Sequence, residues 1–137
     1  MTRVNNWPSA MWRCIEDARD VPYRVGSHDC ALFALDVVEA ITGVDYGEPV
    51  RGRYSTEVGS YRTIKRIGGA GLREAVTAIL SADTVDRRAL RKGDVVLYQD
   101  ERGDHLGIHT GARAVVLGPD GIAWVPMDQI AEGWRVV

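Results

Sequence analysis

The sequence predicts an α+β fold, with N-terminal helices packed on a C-terminal antiparallel meander sheet. Two observations predict it. Apolar residues recur at helical spacing as far as Leu80, and from Asp94 onward they recur at every second position between turn signals. The stretch Cys30–Thr42 is apolar almost all the way round, with only Asp36 and Glu39 charged, so this helix needs cover on several sides. Helices followed by consecutive short strands give a helical layer on a sheet. At 137 residues the chain is read as a single domain, 1–137, long enough for a real core.

The elements follow in order. A first amphipathic helix runs from about Pro8 to Arg19, with Met11, Cys14, Ile15 and Ala18 on its apolar face. A turn with Pro22 and Gly26 leads to the central helix, which Ser27 or Asp29 can cap and Gly43 can stop. Asp45–Ser60 has loop character, Tyr61–Ile67 reads as a short helix broken by Gly68-Gly69-Ala70-Gly71, and Leu72–Leu80 is a clearer one. Asp94–Tyr98, His105–Thr110, Ala114–Leu117, Ile122–Pro126 and Trp134–Val137 read as strands. Turns fall at Glu101–Asp104, Gly111–Arg113 and Gly118–Gly121.

Charge and composition exclude several function classes. The net charge is −2 and the basic residues are dispersed, so no nucleic-acid surface is expected; the cluster Arg87, Arg88, Arg91 and Lys92 reads as solvated surface. Met1–Pro8 carries no apolar run of the signal-peptide type, and no segment is long and apolar enough to span a membrane. Two cysteines do not make a disulfide framework, and both are expected as free thiols, Cys14 as an inert core residue.

Cys30 is the candidate nucleophile. At the first turn of a helix a thiol feels the positive end of the dipole, which favours thiolate. Three histidines could partner it. His28 is two residues away, an awkward spacing for a direct pair, and reads as a cap or a solvated loop residue. His105 and His109 share one face of a strand with Gly107, about 13 Å apart, so only one of them can serve the sulfur. Gly107 leaves that face open, as close approach of a backbone or ligand requires.

Pro22–Cys30 with its apolar helix resembles the nucleophile segment of the NlpC-type papain-like cysteine peptidases. Leu90–Val96 resembles that family's first strand, and Asp104–Gly111 its histidine strand. More closely, Trp7, the Gly26–Asp45 block, Gly93-Asp94-Val95, Leu106-Gly107-Ile108, Gly118–Gly121 and Trp134-Arg135-Val136 are similar to small proteins from tail modules of phages and gene transfer agents. The resemblance implies a papain-like fold in which Cys30 is the nucleophile and His105 the base, cutting peptidoglycan stem peptides or related amides. It further implies a tail-tip component of a virion, made in the host cytoplasm, with other tail-tip or hub proteins as partners. Asp29 would cap the helix, and Tyr23 would line the cleft or pack. One departure stands out: the family places a polar residue on the following strand to orient the imidazole, whereas Ala114–Gly118 is apolar throughout.

Three rival readings stay open, one of them a peptide- or wall-binding module that keeps the cleft without the chemistry. A catalytically inactive structural protein of the tail tip or baseplate needs surfaces more than a cleft. Trp7, Trp12, Trp124 and Trp134 could anchor such contacts or fill the core, and Arg51–Tyr54 is either a contact loop or a mobile solvated one. A zinc site on His28, Cys30 and His105 lacks paired ligand spacing, so no metal or other cofactor is expected.

Overall fold

The computed structural model describes residues 1–137. Four helices come first: α1 (Trp7–Ala18), α2 (Cys30–Thr42), α3 (Glu57–Gly68) and α4 (Leu72–Leu80). Six strands follow: β1 (Val85–Asp86), β2 (Val95–Asp100), β3 (Gly103–His109), β4 (Arg113–Gly118), β5 (Gly121–Pro126) and β6 (Glu132–Trp134). The fold is α+β, with one antiparallel sheet in the order β1-β6-β2-β3-β4-β5.

This order corrects the expected simple meander. Strands β2 to β5 do form one, but the chain then returns across the sheet. The last strand pairs with the far side of β2, Val95 opposite Trp134, and β1, unforeseen in the sequence, pairs with β6. Two residues are too few to show a period, which explains the omission of β1. The closing strand is also displaced, at Glu132–Trp134 rather than Trp134–Val137. The backbone of Val136 is instead used by Asp94 and Arg3. The third helix starts four residues before Tyr61, inside the expected loop, because Thr56 caps it by accepting the Gly59 N–H at 3.0 Å.

The central helix is covered as its composition demands. It packs against α1 on one side and β3 and β4 on the other. Leu32, Phe33, Ala34, Leu35, Val37, Val38 and Ile41 are at most 1% exposed. Alternation divides the sheet into two faces. Val95, Leu97, Leu106, Ile108, Val115, Leu117 and Trp134 join the main core with the helices, while Val96, Ala114, Val116 and Val125 form a smaller cluster on the reverse face with Leu90 and Ile130. The two charges of α2 stay near the surface. Arg51 bridges Asp36 at 2.8 Å and Asp45 at 2.9 Å, which ties the start of the Arg51–Tyr54 loop to α2.

Candidate functional site

The turn before α2 is built around one carboxylate. Asp29 caps the helix by accepting the Leu32 N–H at 3.0 Å on Oδ1. Its Oδ2 accepts the Gly26 N–H at 2.9 Å and the Tyr54 hydroxyl at 2.6 Å. Gly26 has φ +93°, and a side chain there would run into the Tyr54 carbonyl, so glycine is required. The Gly52 N–H donates to the Gly26 carbonyl at 2.9 Å. Asp29 therefore holds the thiol-bearing turn and the Asp45–Thr56 connection as one unit. Both of its oxygens are engaged, by three donors in all.

Cys30 opens α2 and lines a cleft of about 460 Å³, the size of a small-molecule or short-peptide site. Its walls include Tyr23, Tyr54, Tyr61, Tyr98, His105 and Leu117. Cys30, His105 and Tyr23 all line this cleft, but Cys30 packs against the main core on the helix face while His105 stands with Tyr98 on the reverse face of the sheet. The structure separates His28, which is buried with Nε2 3.2 Å from the Ala18 carbonyl and faces a groove beside Cys14 on the α1 side. The reading of His28 as a solvated loop residue is corrected by that burial. The three candidate zinc ligands do not converge, and no group of three His, Cys, Asp or Glu side chains is arranged to hold a metal.

The sheet makes the cleft by splitting. Strands β3 and β4 pair from His109–Ala114 to Gly107–Val116 and no further, while β3 stays paired with β2 to Gly103 and β4 with β5 to Gly118. Thr110 N–H donates to the Arg113 carbonyl, so even-numbered β3 residues point their backbone groups at β4. Leu106 would be next in that series, and its N–H lies in the fork, where it acts on the Cys30 sulfur. That N–H favours the thiolate, though not enough to offset burial. Residues of both sheet faces, Val116 and Leu117, line the same cleft because it passes through this fork. Gly107 stands at the last rung. A Cβ there would collide with the Val115 carbonyl and the Val116 side chain, so the close approach anticipated at this position is made by β4 itself.

The electrostatics correct the expectation of a pre-formed thiolate. Burial pushes the Cys30 thiol up to about 11, and the Asp29 charge adds to that; the N–H groups of Leu106, Ala31 and Cys30 oppose it and lose. The resting group is a neutral thiol. Cys14 is likewise raised to about 11 by burial first and then by Asp36. Both cysteines are free. Burial also lifts Tyr23 to about 12 and, with its bond to Asp29, raises Tyr54.

His105 is held from a direction the sequence did not suggest. Its Nε2 lies 2.9 Å from Asp100 Oδ1, and its ring stands 6.0 Å from that of Tyr98 across the β2–β3 pair. The other ring nitrogen, Nδ1, has no hydrogen-bond partner within the protein. Asp100, Tyr98 and Arg102 escaped sequence reasoning. The available signal was the register of the tight hairpin, which sets Tyr98 opposite His105 and Asp100 one same-face step along the strand.

The fold and site together define an α+β domain with a thiol and an imidazole in one cleft. The chain belongs to the family described as a domain of unknown function, DUF6950, which matches residues 2–136. No curated protein matches it. No helix is long and apolar enough to cross a membrane.

Proposed function

We propose that this protein is an NlpC-type, papain-like cysteine hydrolase that cleaves amide bonds of peptidoglycan stem peptides, carried as a tail-tip component of a phage-like particle. The observation that carries the reading is Cys30 at the head of a buried helix, in one cleft with an imidazole that has a free nitrogen. The tail-tip placement, with hub proteins as neighbours, rests on the sequence resemblance.

The chemistry follows from the neutral resting thiol. At pH 7 a thiol titrating near 11 is thiolate in about one molecule in ten thousand. The proton must therefore leave as attack begins. His105 Nδ1 takes it, and sulfur bonds to the amide carbonyl carbon. Backbone N–H groups at the helix start and in the fork are the donors available to the oxyanion. The C–N bond breaks as His105 returns the proton to the departing amine, leaving a thioester. Water then gives a proton to His105 and attacks the thioester carbon. The C–S bond breaks, the acid is released, and sulfur recovers its proton.

The buried, protonated thiol also favours a second reading, an inactive structural protein of the tail tip or baseplate. Purified peptidoglycan separates the two. The enzyme releases soluble stem-peptide fragments, and Cys30→Ala reduces release by about 10⁴-fold or more with the fold intact. Intact wall after prolonged incubation, together with infective Cys30→Ser particles, assigns the structural role.

A further inference from the structure

We infer that Asp100 is the positioning residue for His105, supplying from the preceding strand the orienting group that the apolar strand β4 lacks. The inference rests on the proposed hydrolase reading and extends it.

The geometry selects one tautomer. A carboxylate can only accept, so the 2.9 Å contact to Asp100 Oδ1 places a proton on Nε2 and leaves Nδ1 as the lone-pair nitrogen. Asp100 is itself fixed. Its Oδ1 also accepts the Arg102 N–H at 2.8 Å, and its Oδ2 lies 3.6 Å from the Arg102 guanidinium. The bond to His105, reinforced by Arg102, holds the carboxyl below the usual range, so it is ionised at neutral pH. Both side chains are largely covered, 22% exposed for His105 and 12% for Asp100, and Tyr98 bounds the imidazole on the β2 side.

No other element offers the same service. From β4 and its turn, only Val116, Leu117, Gly118 and Pro119 line the cleft. Asp104 and Glu57 also border the cleft, but neither is bonded to the ring. Asp104 instead accepts from Gln99 Nε2 at 2.9 Å. A salt bridge that merely closed the hairpin would not require the imidazole, because Arg102 already engages the carboxylate.

Two readouts test the role. In long-range ¹H–¹⁵N spectra of the neutral imidazole, His105 should show the Nε2–H tautomer in the wild type. Asp100→Ala should show a mixture, and Asp100→Glu should recover part of the original state. On peptidoglycan, Asp100→Ala should lower kcat by about 10²- to 10⁴-fold with little change in KM, by analogy with loss of the orienting carboxylate in a serine protease. Asp100→Leu, which fills the same space without an acceptor, covers the case in which Asp100→Ala does not fold. An unchanged tautomer in folded Asp100→Ala or Asp100→Leu overturns the inference, as does an unchanged kcat. If the wild type is inactive on the wall, the hydrolase reading fails, while the tautomer spectra still decide whether Asp100 orients the ring.

Discussion

His105 and His109 stand four residues apart on one face of β3, yet their surroundings differ in every respect that matters for chemistry. At the His109 end the strand is paired on both sides: its N–H donates to the Asp94 carbonyl, its own carbonyl accepts the Gly93 N–H, and Ala114 stands opposite on β4. The ring is buried, and Nδ1 accepts the Gly111 N–H at 3.0 Å. Burial lowers the His109 pKa more than the nearby Asp94 raises it, so the ring is held neutral. At the His105 end the β4 pairing has stopped, a carboxylate grips one ring nitrogen, and the other has no partner within the protein. Two rungs of ladder thus separate a packing histidine from a candidate base.

The sharpest way to break this comparison is to remove each ring in turn. His105→Ala should lower hydrolysis of peptidoglycan by about 10⁴-fold, whereas His109→Gln should leave it within about threefold. Equal losses in a stably folded pair would erase the distinction. Next in size is the polar hub beside His109. Asp94 is fully buried and accepts from Arg3, from the Val136 N–H and from the Arg91 N–H. Asp94→Ala strands two arginines and should cost about 3–5 kcal/mol in urea unfolding. A change below about 1 kcal/mol would show that the hub is solvated in solution.

Smaller is the pH dependence of stability contributed by Cys30. Its pKa is raised from 9.0 to about 11 on folding. Below pH 9 the thiol is protonated in both states and its contribution is complete. Between pH 9 and 11 the unfolded chain ionises while the folded one retains its proton, so stability falls, by up to about 2 kcal/mol. Cys30→Ala should remove its share of that fall, with Cys14 and Tyr23 keeping theirs; an identical profile would mean the Cys30 thiol is not desolvated. Gly107→Ala, at the rung where pairing ends, should destabilise by about 1–3 kcal/mol through the clash with β4. If it is neutral, β3 and β4 part earlier than Gly107.

Most of the architecture was legible because local chemistry agreed with tertiary use. Asp29 and Gly43 bound α2 as their residue types suggest, and the period change at Asp94 located β2 to β5 closely. The long-range steps were not legible. Nothing local tells Glu132–Trp134 to cross the sheet and pair with β2, or Val85–Asp86 to count as a strand. At the site, strand alternation identified His105 as a candidate, and the resemblance paired it with Cys30. The resemblance points to the following strand for an orienter, while the structure sets Asp100 beside the ring from the preceding one. The helix terminus does not make Cys30 a resting thiolate, because desolvation and the capping charge of Asp29 outweigh it.

The Asp94 hub has a geometric consequence for attachment. Arg3 donates to the carbonyls of Val136 and Lys92 as well as to Asp94, so the first and last residues of the domain are fastened at one point, at the entrance of β2. The cleft lies farther along the same strand, at Tyr98, about 13 Å away. A load applied at either terminus would therefore be taken up at this hub, away from the cleft.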